Sequence, residues 1–494
     1  MFGMLIFALS AALLVGGFFV YGKIAEKVYG VDTGMRMPAV EQADGVDYVA
    51  MPTWRVFLIQ LLNIAGLGPV FGALSGCLFG PVALLWIVLG CLLGGTVHDF
   101  YAAVASAEKG GSNLPELVKG NLGKYSGYLM RGVCIVLMLM VGVVFTQGPA
   151  GMLHGLVSEI SVVWWCVIIL GYYFLATVLP IDVIVGKIYP IFGLLFLVMV
   201  VGVAVALPQS PYEVLPYTDF FSNMHPSGIS VWPVLFVTIA CGAISGFHAT
   251  QSPMMVRCLA QAKNLRTVFY GAMVVEGLVA LVWAVAGITL RDVLTSYTLA
   301  DGQLVKAVTQ GEAVNFMTVS LKNPAIAVSE ASFMLLGKAG AVLALLGVVV
   351  LPITSGDTAM RCCRLMLADA LGLEQKKVAA RLALVLPIFA MVIIIANLDF
   401  AVIWRYFGWA NQTLACFTLW SLAVLLRRRS RMHWIVTLPA LFMTMVCCCF
   451  LLSAPDCLIC MDGSYSLAIS FGVALLFLWL LLRVNPEKND KVGE

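Results

Sequence analysis

A polar stretch interrupts an apolar segment between residues 231 and 253. Val234 to Ala240 reads as an ordinary membrane span, and small and polar residues then follow as far as Pro253. Because lipid offers no hydrogen-bond partners, such a stretch must be buried in protein or line a cavity. A helix broken there leaves free N–H groups on one half and free C=O groups on the other, and these ends bind anions and cations. Four residues of the stretch are candidate substrate contacts: Ser245, Gly246, His248 and Gln251.

A second interrupted segment lies between residues 55 and 80. Its apolar run ends in Asn63-Ile64-Ala65-Gly66-Leu67-Gly68-Pro69, where glycine tolerates unwinding and proline removes a donor. Glycines then recur at every fourth residue: Gly68, Gly72, Gly76 and Gly80. That spacing puts them on one face, where another helix can approach closely. We expect Asn63, Gly66 and Gly68 to contact substrate. The alternative for each segment is a glycine kink packed against a neighbouring helix, with His248 a satisfied buried histidine.

Ionisable residues inside apolar segments form another group of candidates. A charged side chain at a helix centre costs roughly 2.5–3.5 kcal/mol on the insertion scale, so each one needs an explanation. Asp357 closely follows Thr354 and Ser355. Two hydroxyls and a carboxylate beside an unwound turn suit a hard cation or a proton. Arg361 and Arg364 follow at i+4 and i+7, so a helix-end ion pair is the alternative.

Further polar residues fall in three other apolar segments. His98 and Asp99 close the third segment near the inner surface, where the alternatives are an interfacial ion pair with Lys or Arg and a gating or proton-relay role. Glu276 lies well inside its segment, either as the partner of a buried base or as a proton carrier. Asn411 and Gln412 are amides in mid-span, which bond across helices and serve either packing or substrate contact.

The composition places all these residues in a polytopic membrane protein. Of the 494 residues 61% are hydrophobic and 11% charged, and the mean hydropathy is +0.99. Repeated apolar runs of about 20 residues predict membrane-spanning helices. We predict thirteen spans, at about 2–22, 55–78, 81–106, 127–150, 161–179, 184–207, 231–252, 266–290, 328–354, 380–397, 400–427, 433–453 and 464–483.

Loop charges and span order predict the topology. With the N-terminus outside and the C-terminus cytoplasmic, the inner loops hold 24 of the 29 Lys and Arg and the outer loops hold four, as the positive-inside rule requires. Five helices separate the starts of the two interrupted segments, so the second enters from the opposite side, the signature of an inverted repeat. The chain then divides into a leading helix (2–22), two five-helix repeats (55–207 and 231–427) and two trailing helices (433–483), all in one transmembrane domain.

Other classes of site receive little support from the sequence. The phosphate-binding pattern GxxxxGK[ST] is absent, so the chain encodes no ATP-driven motor. The 14 cysteines lack framework spacing and most fall inside spans as small apolar residues. Cys457 and Cys460 form a lone CxxC, a weak indication of a disulfide or a metal. No nucleophile–base or metal set stands out, so we expect neither an enzyme nor a metal site, and no cofactor.

Several motifs, in order along residues 3–427, resemble the carbon starvation A family of bacterial inner-membrane transporters. They are His98-Asp99-Phe100 after paired glycines, the run from Cys241 to His248, the run from Ala272 to Glu276, and Trp409-Ala410-Asn411-Gln412. The resemblance implies a LeuT-like inverted-repeat fold and uptake of pyruvate or small peptides, driven by a cation gradient. The chain departs from the longest members at 249–253, which replaces a longer Ser/Thr/Gly-rich stretch, and in its last two spans.

We therefore expect a secondary transporter of the bacterial cytoplasmic membrane, embedded in the lipid bilayer, for a small carboxylate nutrient such as pyruvate or a short peptide. Half-helix N-termini near 66–68 and 245–248 would offer N–H groups to the carboxylate, with His248 in contact with the substrate. Asp357, with Thr354 and Ser355, would hold the coupling cation, a proton or alternatively sodium. A sodium-coupled amino-acid symporter and a membrane sensor of carbon status are the alternatives. Nucleic acid is not an expected partner, and the oligomeric state stays open.

Overall fold

The computed structural model describes residues 2–181, 185–300, 303–306, 313–398, 400–453 and 459–486. Within these ranges the chain is helical apart from loops, isolated bridges and one two-stranded antiparallel hairpin. Among the described residues eleven helices are long and apolar enough to cross a membrane, or twelve if one bent pair counts as a single span. The prediction of an all-α polytopic membrane protein is confirmed.

The first half of the chain supplies thirteen α-helices and several short π- and 3₁₀-helical turns. The α-helices are α1 (Phe2–Phe19), α2 (Tyr21–Tyr29), α3 (Pro38–Glu41), α4 (Thr53–Ile64), α5 (Ala73–Gly76), α6 (Val82–Gly90), α7 (Thr96–Glu108), α8 (Leu114–Leu122), α9 (Lys124–Leu156), α10 (Val162–Val178), α11 (Val185–Gln209), α12 (Val231–Thr238) and α13 (Gly246–Val256). The π-turns are Gly68–Gly72 and Cys91–Gly95, and a 3₁₀ turn covers Cys77–Phe79.

The second half begins with a 3₁₀ turn at Ala262–Asn264 and a π-turn at Arg266–Tyr270. Its elements are α14 (Gly271–Leu290), β1 (Tyr297–Ala300), β2 (Gln303–Lys306), α15 (Phe316–Lys322), α16 (Pro324–Leu371), α17 (Val378–Ile395), α18 (Phe400–Arg428), α19 (Trp434–Ser453) and α20 (Gly463–Leu482). The hairpin and α15 occupy part of the large loop that the charge distribution places outside.

Both predicted breaks are present as interruptions between short helices. The pair Thr53–Ile64 and Gly68–Phe79 is bent by 53°, and residues 239–245 separate α12 from α13. The predicted span 161–179 is a shorter apolar helix, Val162–Val178. The count of thirteen spans, the division into two repeats and the outward N-terminus stay predictions.

The ninth predicted span, 328–354, differs from the structure. Helix α16 begins at Pro324, where Asn323 caps the N–H groups of Ala325 and Ile326, and it runs to Leu371, beyond which Gly372 adopts a left-handed conformation (φ +65°). Its one non-helical residue is Gly337, at φ +66°. The prediction of an unwound turn beside Asp357 is therefore wrong: the helix interior tolerates Pro352, and Asp357 lies deep within a continuous stretch.

Three helices meet at the centre of the fold. Helices α4, α13 and α16 pack against one another, and α16 also packs against α9, α10 and α11. Helix α13 in addition contacts α7 and α18, while α14 contacts α4 and the turn after it. The two broken segments are thus enclosed by unbroken helices, which satisfies the requirement that irregular backbone at membrane depth be buried in protein.

Candidate functional site

The two helix breaks are in direct contact through the glycine row of the first segment. A side-chain Cβ at Gly68 would lie 2.3 Å from Cys241 Cβ in the second break. A Cβ at Gly72 would lie 2.9 Å from the carbonyl oxygen of Thr238, and one at Gly76 would overlap Ile239. The predicted close approach of another helix is confirmed at Gly72 and Gly76, which lie against the end of α12, whereas Gly68 meets the non-helical second break. Gly80 instead contacts Met224 and has φ +87°.

The first break frees one backbone carbonyl, which hydroxyls of α16 bind. The N–H of Gly66 donates to Ile64 O rather than to Leu62 O four residues back. The hydroxyls of Thr354 and Ser355 lie 3.0 and 3.1 Å from Leu62 O, and Thr354 Oγ1 also lies 2.8 Å from Leu351 O in its own helix. These two predicted residues therefore satisfy the acceptor that the break exposes, which ties α16 to the end of α4.

Asp357 is buried and accepts hydrogen bonds from two tyrosines. Tyr172 Oη on α10 lies 2.6 Å from Asp357 Oδ2, and Tyr189 Oη on α11 lies 2.8 Å from Oδ1. Tyr189 Oη is also 2.9 Å from the carbonyl oxygen of Thr354. The carboxylate is thus connected through Tyr189 and Thr354 to the first break.

The two arginines proposed as alternative partners of Asp357 bind another carboxylate. Arg361 Nη1 lies 3.0 Å and Arg364 Nη2 2.9 Å from Asp47 Oδ1, in the loop before α4. All three residues are buried. Burial alone would raise the pKa of Asp47, but the guanidiniums of Arg364 and Arg361 hold that pKa below its ordinary value.

Two buried amides near the first break have unsatisfied polar atoms. Within the described chain, neither amide atom of Asn63 or of Gln60 has a hydrogen-bond partner, and both side chains are fully buried. Gly66 is held tightly beside them, because a Cβ there would lie 2.6 Å from the ring of Phe145 and 3.2 Å from Ser355 Oγ. Buried amides without hydrogen bonds cost free energy unless a ligand or water supplies the missing partners. Asn63 and Gln60 are therefore the strongest polar candidates for binding a ligand.

The second break is closed by side chains from other helices. Asn411 Oδ1 accepts from Phe247 N–H at 2.7 Å, and its amide nitrogen donates to Ser245 Oγ at 3.0 Å. Asn411 therefore caps the N-terminus of α13 in this conformation. The carbonyls left free at the end of α12 are also bound: Gln412 donates to Phe236 O at 2.7 Å and Trp86 to Ile239 O at 2.8 Å.

Gly246 and Gln251 lie on α13 in close packing. A Cβ at Gly246 would fall 2.3 Å from the backbone nitrogen of Ala415, so only glycine fits where α13 meets α18. The amide of Gln251 donates to Thr250 Oγ1 at 3.0 Å, and Cys362 Sγ lies 3.6 Å from its Oε1. Both positions are buried.

Four ionisable residues form one buried chain beside the second break. His98 Nδ1 lies 2.8 Å from Asp99 Oδ1, and His248 Nδ1 lies 2.9 Å from Asp99 Oδ2. On its other side, His248 Nε2 lies 3.4 Å from Glu276 Oε2. All four side chains have no exposed surface. We refer to His98, Asp99, His248 and Glu276 as the buried charge chain.

His98 and Asp99 are buried inside the protein, and their position near the inner membrane surface stays a prediction. Helix α7 continues to Glu108, in agreement with the predicted span 81–106, and both side chains are fully buried, with Asp99 in contact with His248 of α13. Their partners are His248 and each other, whereas the interfacial alternative paired them with Lys or Arg. For Glu276 the structure supplies the partner that the sequence left open, the imidazole of His248.

The structure brings the predicted residues into two groups that meet where Gly68 contacts Cys241. The first holds Asn63, Gly66, Thr354, Ser355 and Asp357; the second holds Ser245, Gly246, His248, Gln251, Asn411 and Gln412 with His98, Asp99 and Glu276. Sequence reasoning missed Gln60, Tyr172 and Tyr189. Gln60 had a usable signal, an amide one turn before Asn63 in an apolar run; the tyrosines had none, since nothing in the sequence pairs their helices with α16. Cys457 of the predicted CxxC lies outside the described residues.

The chain matches one protein family along most of its length. The family model of carbon starvation protein CstA matches residues 2–153, 150–336 and 325–449. An uncharacterized membrane protein of Haemophilus influenzae is 39% identical over 340 residues, which cover 58% of this chain and 92% of that protein. The peptide transporter CstA of Helicobacter pylori is 25% identical over 580 residues, covering 95% of this chain and 80% of that one. The pyruvate/proton symporter BtsT of Escherichia coli is 27% identical over 327 residues, covering 53% and 46%.

Solved structures support the fold at low sequence identity. A manganese transporter of Eremococcus coleocola, in complex with an aromatic bis-isothiourea compound, aligns with a TM-score of 0.50 at 14% identity, covering 89% of this chain and 97% of that one. The predicted LeuT-like fold class is confirmed. The relatives that carry a functional name are transporters rather than enzymes.

Proposed function

Because this chain belongs to the carbon starvation protein CstA family of membrane transporters, we propose that it takes up a small carboxylate nutrient by coupling to a cation gradient. The nutrient is pyruvate or a short peptide, and the coupling ion is a proton. Its relatives include peptide transporters and a pyruvate/proton symporter. The membrane is the bacterial cytoplasmic membrane, with the N-terminus outside.

The observation that carries the proposal is the connection from Asp357 to the first break. Asp357 bonds Tyr189, Tyr189 lies against the Thr354 carbonyl, and the Thr354 hydroxyl bonds Leu62 O. A change in the protonation of Asp357 would therefore act close to the unwound backbone that would hold substrate. The same contacts join α10, α11, α16 and α4, four helices whose relative positions an alternating-access transporter must change.

Protonation would change this connection in a defined way. As a carboxylate, Asp357 accepts from both Tyr172 and Tyr189. As a carboxylic acid it must donate one hydrogen bond, so one tyrosine hydroxyl has to turn away. Tyr189 already has a second acceptor, the carbonyl oxygen of Thr354 at 2.9 Å. Proton binding would thus shift the donation of Tyr189 from the Asp357 side chain to the backbone carbonyl of Thr354, one turn earlier on α16.

For the substrate, we propose that Asn63 and Gln60 supply amide hydrogen bonds from the first break. Their unpaired polar atoms are the reason. A carboxylate suits these donors. The predicted contacts of Ser245, His248, Gln251, Asn411 and Gln412 stay predictions, because each of these side chains is bonded within the protein in this conformation.

Sodium is the second candidate for the coupling ion, and one observation favours it. Leu62 O and the hydroxyls of Thr354 and Ser355 place three oxygen atoms together at the break, and hard cations prefer oxygen ligands. In that case the cargo is an amino acid, as in the symporter alternative. Applied proton and sodium gradients distinguish these two candidates.

The test is uptake into proteoliposomes that hold the purified full-length chain. We expect labelled pyruvate or dialanine to accumulate under an inward proton gradient and not under a sodium gradient alone. In Asp357→Asn, accumulation is lost while exchange of substrate across the membrane persists, because exchange needs no proton turnover. Asp219→Asn, in an exposed loop, serves as the matched control. Accumulation driven by sodium alone would replace the proton with the second candidate, and equal loss of exchange would make Asp357 a structural residue.

A further inference from the structure

Three side chains with metal-ligand atoms converge beside the second break. They are Cys241, within the break itself, His248 on α13 and Glu276 on α14, and all are buried. Their sulfur, imidazole nitrogen and carboxylate oxygen lie within 4.8 Å of one another. Ligand atoms around one tetrahedral zinc ion are about 3.3–3.7 Å apart, given bond lengths of about 2.0–2.3 Å. The 3.4 Å between His248 Nε2 and Glu276 Oε2 already falls in that range.

The ring of His248 is oriented as a metal-binding imidazole is. Asp99 Oδ2 lies 2.9 Å from Nδ1, which directs Nε2 to the side of Glu276 and Cys241. Asp99 is itself held by His98 at 2.8 Å. A carboxylate bonded to the far nitrogen of a histidine is the usual outer partner of a ligating imidazole, because it fixes the tautomer and the ring plane.

Two of the three groups that face this centre are unsatisfied, whereas Cys241 Sγ donates to Ser245 Oγ at 3.7 Å. Among the described residues, His248 Nε2 and both carboxylate oxygens of Glu276 make no hydrogen bond. Unpaired buried acceptors of this kind cost free energy unless a bound species completes them. An ion pair between protonated His248 and Glu276 is one way to complete them, but it leaves Glu276 Oε1 without a partner.

The backbone at the break is shaped to bring Cys241 into this group. Gly242 has φ +86°, and a Cβ there would overlap Ala280 one turn along α14 from Glu276. Only glycine combines that left-handed conformation with so close an approach to α14. The chain reversal therefore holds the thiol of Cys241 against the helix that carries Glu276.

We propose that Cys241, His248 and Glu276 form a buried binding site for a thiophilic divalent cation such as Zn²⁺, with Asp99 as a positioning residue. A thiolate, an imidazole and a carboxylate select such a cation over Ca²⁺ or Mg²⁺, which require oxygen ligands. Binding breaks the S–H bond of Cys241 and releases its proton, since the thiolate is the ligand. Three protein ligands leave the fourth tetrahedral position open, for water or for a group of a bound molecule.

This site is separate from the contacts on which the transport proposal rests, although the sequence also suggested His248 as a substrate contact and Glu276 as a possible proton carrier. It uses neither Asp357 nor the amides of the first break, and metal binding is measured without any transported substrate. Failure of the transport proposal would therefore not contradict the metal site, and absence of metal binding would not contradict the transport proposal.

The experiment titrates Co²⁺, a spectroscopic substitute for Zn²⁺, into the purified full-length chain after removal of metal with a chelator. We expect a sulfur-to-cobalt charge-transfer band that saturates at one Co²⁺ per chain and that added Zn²⁺ abolishes. Cys241→Ser should lose this band, whereas Cys134→Ser, a buried cysteine on α9, should keep it. Asp99→Asn should retain the band but weaken binding roughly 10–100-fold, as expected for an outer partner.

A second measurement keeps the proposal testable if the variants fold poorly. Zn²⁺ should raise the thermal transition of the unaltered protein, because ligands that bind only the folded state stabilise it, and Ca²⁺ at the same concentration should not. Absence of a charge-transfer band in the unaltered protein at millimolar Co²⁺ would overturn the proposal without any variant. An undiminished band in folded Cys241→Ser would overturn it as well.

Discussion

The hydroxyl of Ser355 lies 3.1 Å from the carbonyl oxygen of Leu62, although 293 positions separate the two residues in the chain. Together with Thr354 it supplies the hydrogen bonds that α4 loses where its helix breaks. The irregular backbone of the first segment is thus stabilised by a helix from the other half of the protein, and that relationship governs the first two expectations.

The first expectation concerns these two hydroxyls. Thr354→Val and Ser355→Ala each leave one donor on Leu62 O, so each should lower stability by about 0.5–1.5 kcal/mol. The double variant leaves the carbonyl unpaired and should cost more than the sum of the two, because the residues share one acceptor. Thermal unfolding in detergent measures the effect. The control is Ser332→Ala, whose hydroxyl bonds only its own helix at Val328 O; strictly additive losses would show that Leu62 O is satisfied elsewhere.

The second expectation concerns the tyrosines that bond Asp357. Tyr172→Phe and Tyr189→Phe each remove one donor from the carboxylate. Gradient-driven accumulation should fall in both, with exchange retained, and Tyr189→Phe should have the larger effect because it also removes the contact with Thr354 O. Uptake and exchange are compared in the same proteoliposomes. Tyr125→Phe, at an exposed position, is the control, and unchanged accumulation in Tyr189→Phe would remove the proposed connection between Asp357 and the break.

The third expectation concerns the cap on α13. Asn411→Leu keeps the number and branching of the side-chain heavy atoms but leaves the N–H of Phe247 without its acceptor, so we expect a loss of about 1–3 kcal/mol in stability. Asn411→Asp retains the acceptor oxygens and should cost less if the added charge is tolerated. The control Asn397→Leu removes an exposed amide that bonds its own helix. If Asn411→Leu has the same melting temperature as the unaltered protein, the N–H of Phe247 has another acceptor.

The fourth expectation concerns Asp47 and its two arginines. Asp47→Asn leaves the buried Arg361 and Arg364 without a counter-charge, which should cost about 3–5 kcal/mol. Because the pKa of Asp47 is lowered in the folded protein, its contribution is complete above the ordinary pKa of an aspartate and is lost as the pH falls through the lowered value. As the pH falls below about 4, melting temperatures should therefore decline less steeply in the variant than in the unaltered protein.

A suitable control for Asp47 lies three residues earlier. Asp44 Oδ1 accepts from three backbone N–H groups, and Asp44→Asn keeps an oxygen in that place. It should change stability far less than Asp47→Asn. Equal losses in both variants would mean that the loop conformation, rather than the charge of Asp47, holds the arginines.

The fifth expectation concerns topology. A reporter that is active only in the cytoplasm should work when fused after Glu494 and fail when inserted in the loop 291–327, because the basic loops predict an inner C-terminus. Fusions within the exposed segment around Phe221 should fail as well. Activity from the 291–327 loop would reverse the second half of the chain and exclude the two-repeat division.

Much of the central architecture was predictable from residues that membrane helices otherwise avoid. Gly66, Gly68 and Pro69 indicated the first break, and the polar run from Ser245 to Gln251 indicated the second. Such residues are rare at membrane depth except where irregular backbone is buried in protein. The glycine spacing also predicted the close approach of another helix, and the structure places α12 beside Gly72 and Gly76.

The partners of the polar residues were not predictable, because they depend on which helices are neighbours. Asp357 precedes Arg361 by one turn, yet Arg361 turns away to Asp47 and tyrosines from two other helices bind the carboxylate. For His98 and Asp99 the sequence suggested an ion pair with Lys or Arg as one alternative; Asp99 instead contacts His98 and His248, the latter from another helix. Helical periodicity describes the face on which a residue lies, and it does not identify what packs on that face.

The contact between Leu62 and α16 has a consequence for the synthesis of the protein. Residues 53–79 leave the ribosome and enter the bilayer long before Ser355 exists, since 293 further positions must be translated first. At about 5–20 residues per second this interval lasts roughly 15–60 s. During this interval the carbonyl of Leu62 must be hydrated or bound by the insertion machinery, because lipid offers no hydrogen-bond donor. The nascent first segment is therefore expected to stay at a protein–lipid boundary, rather than diffuse freely in the membrane, until the ninth predicted span arrives.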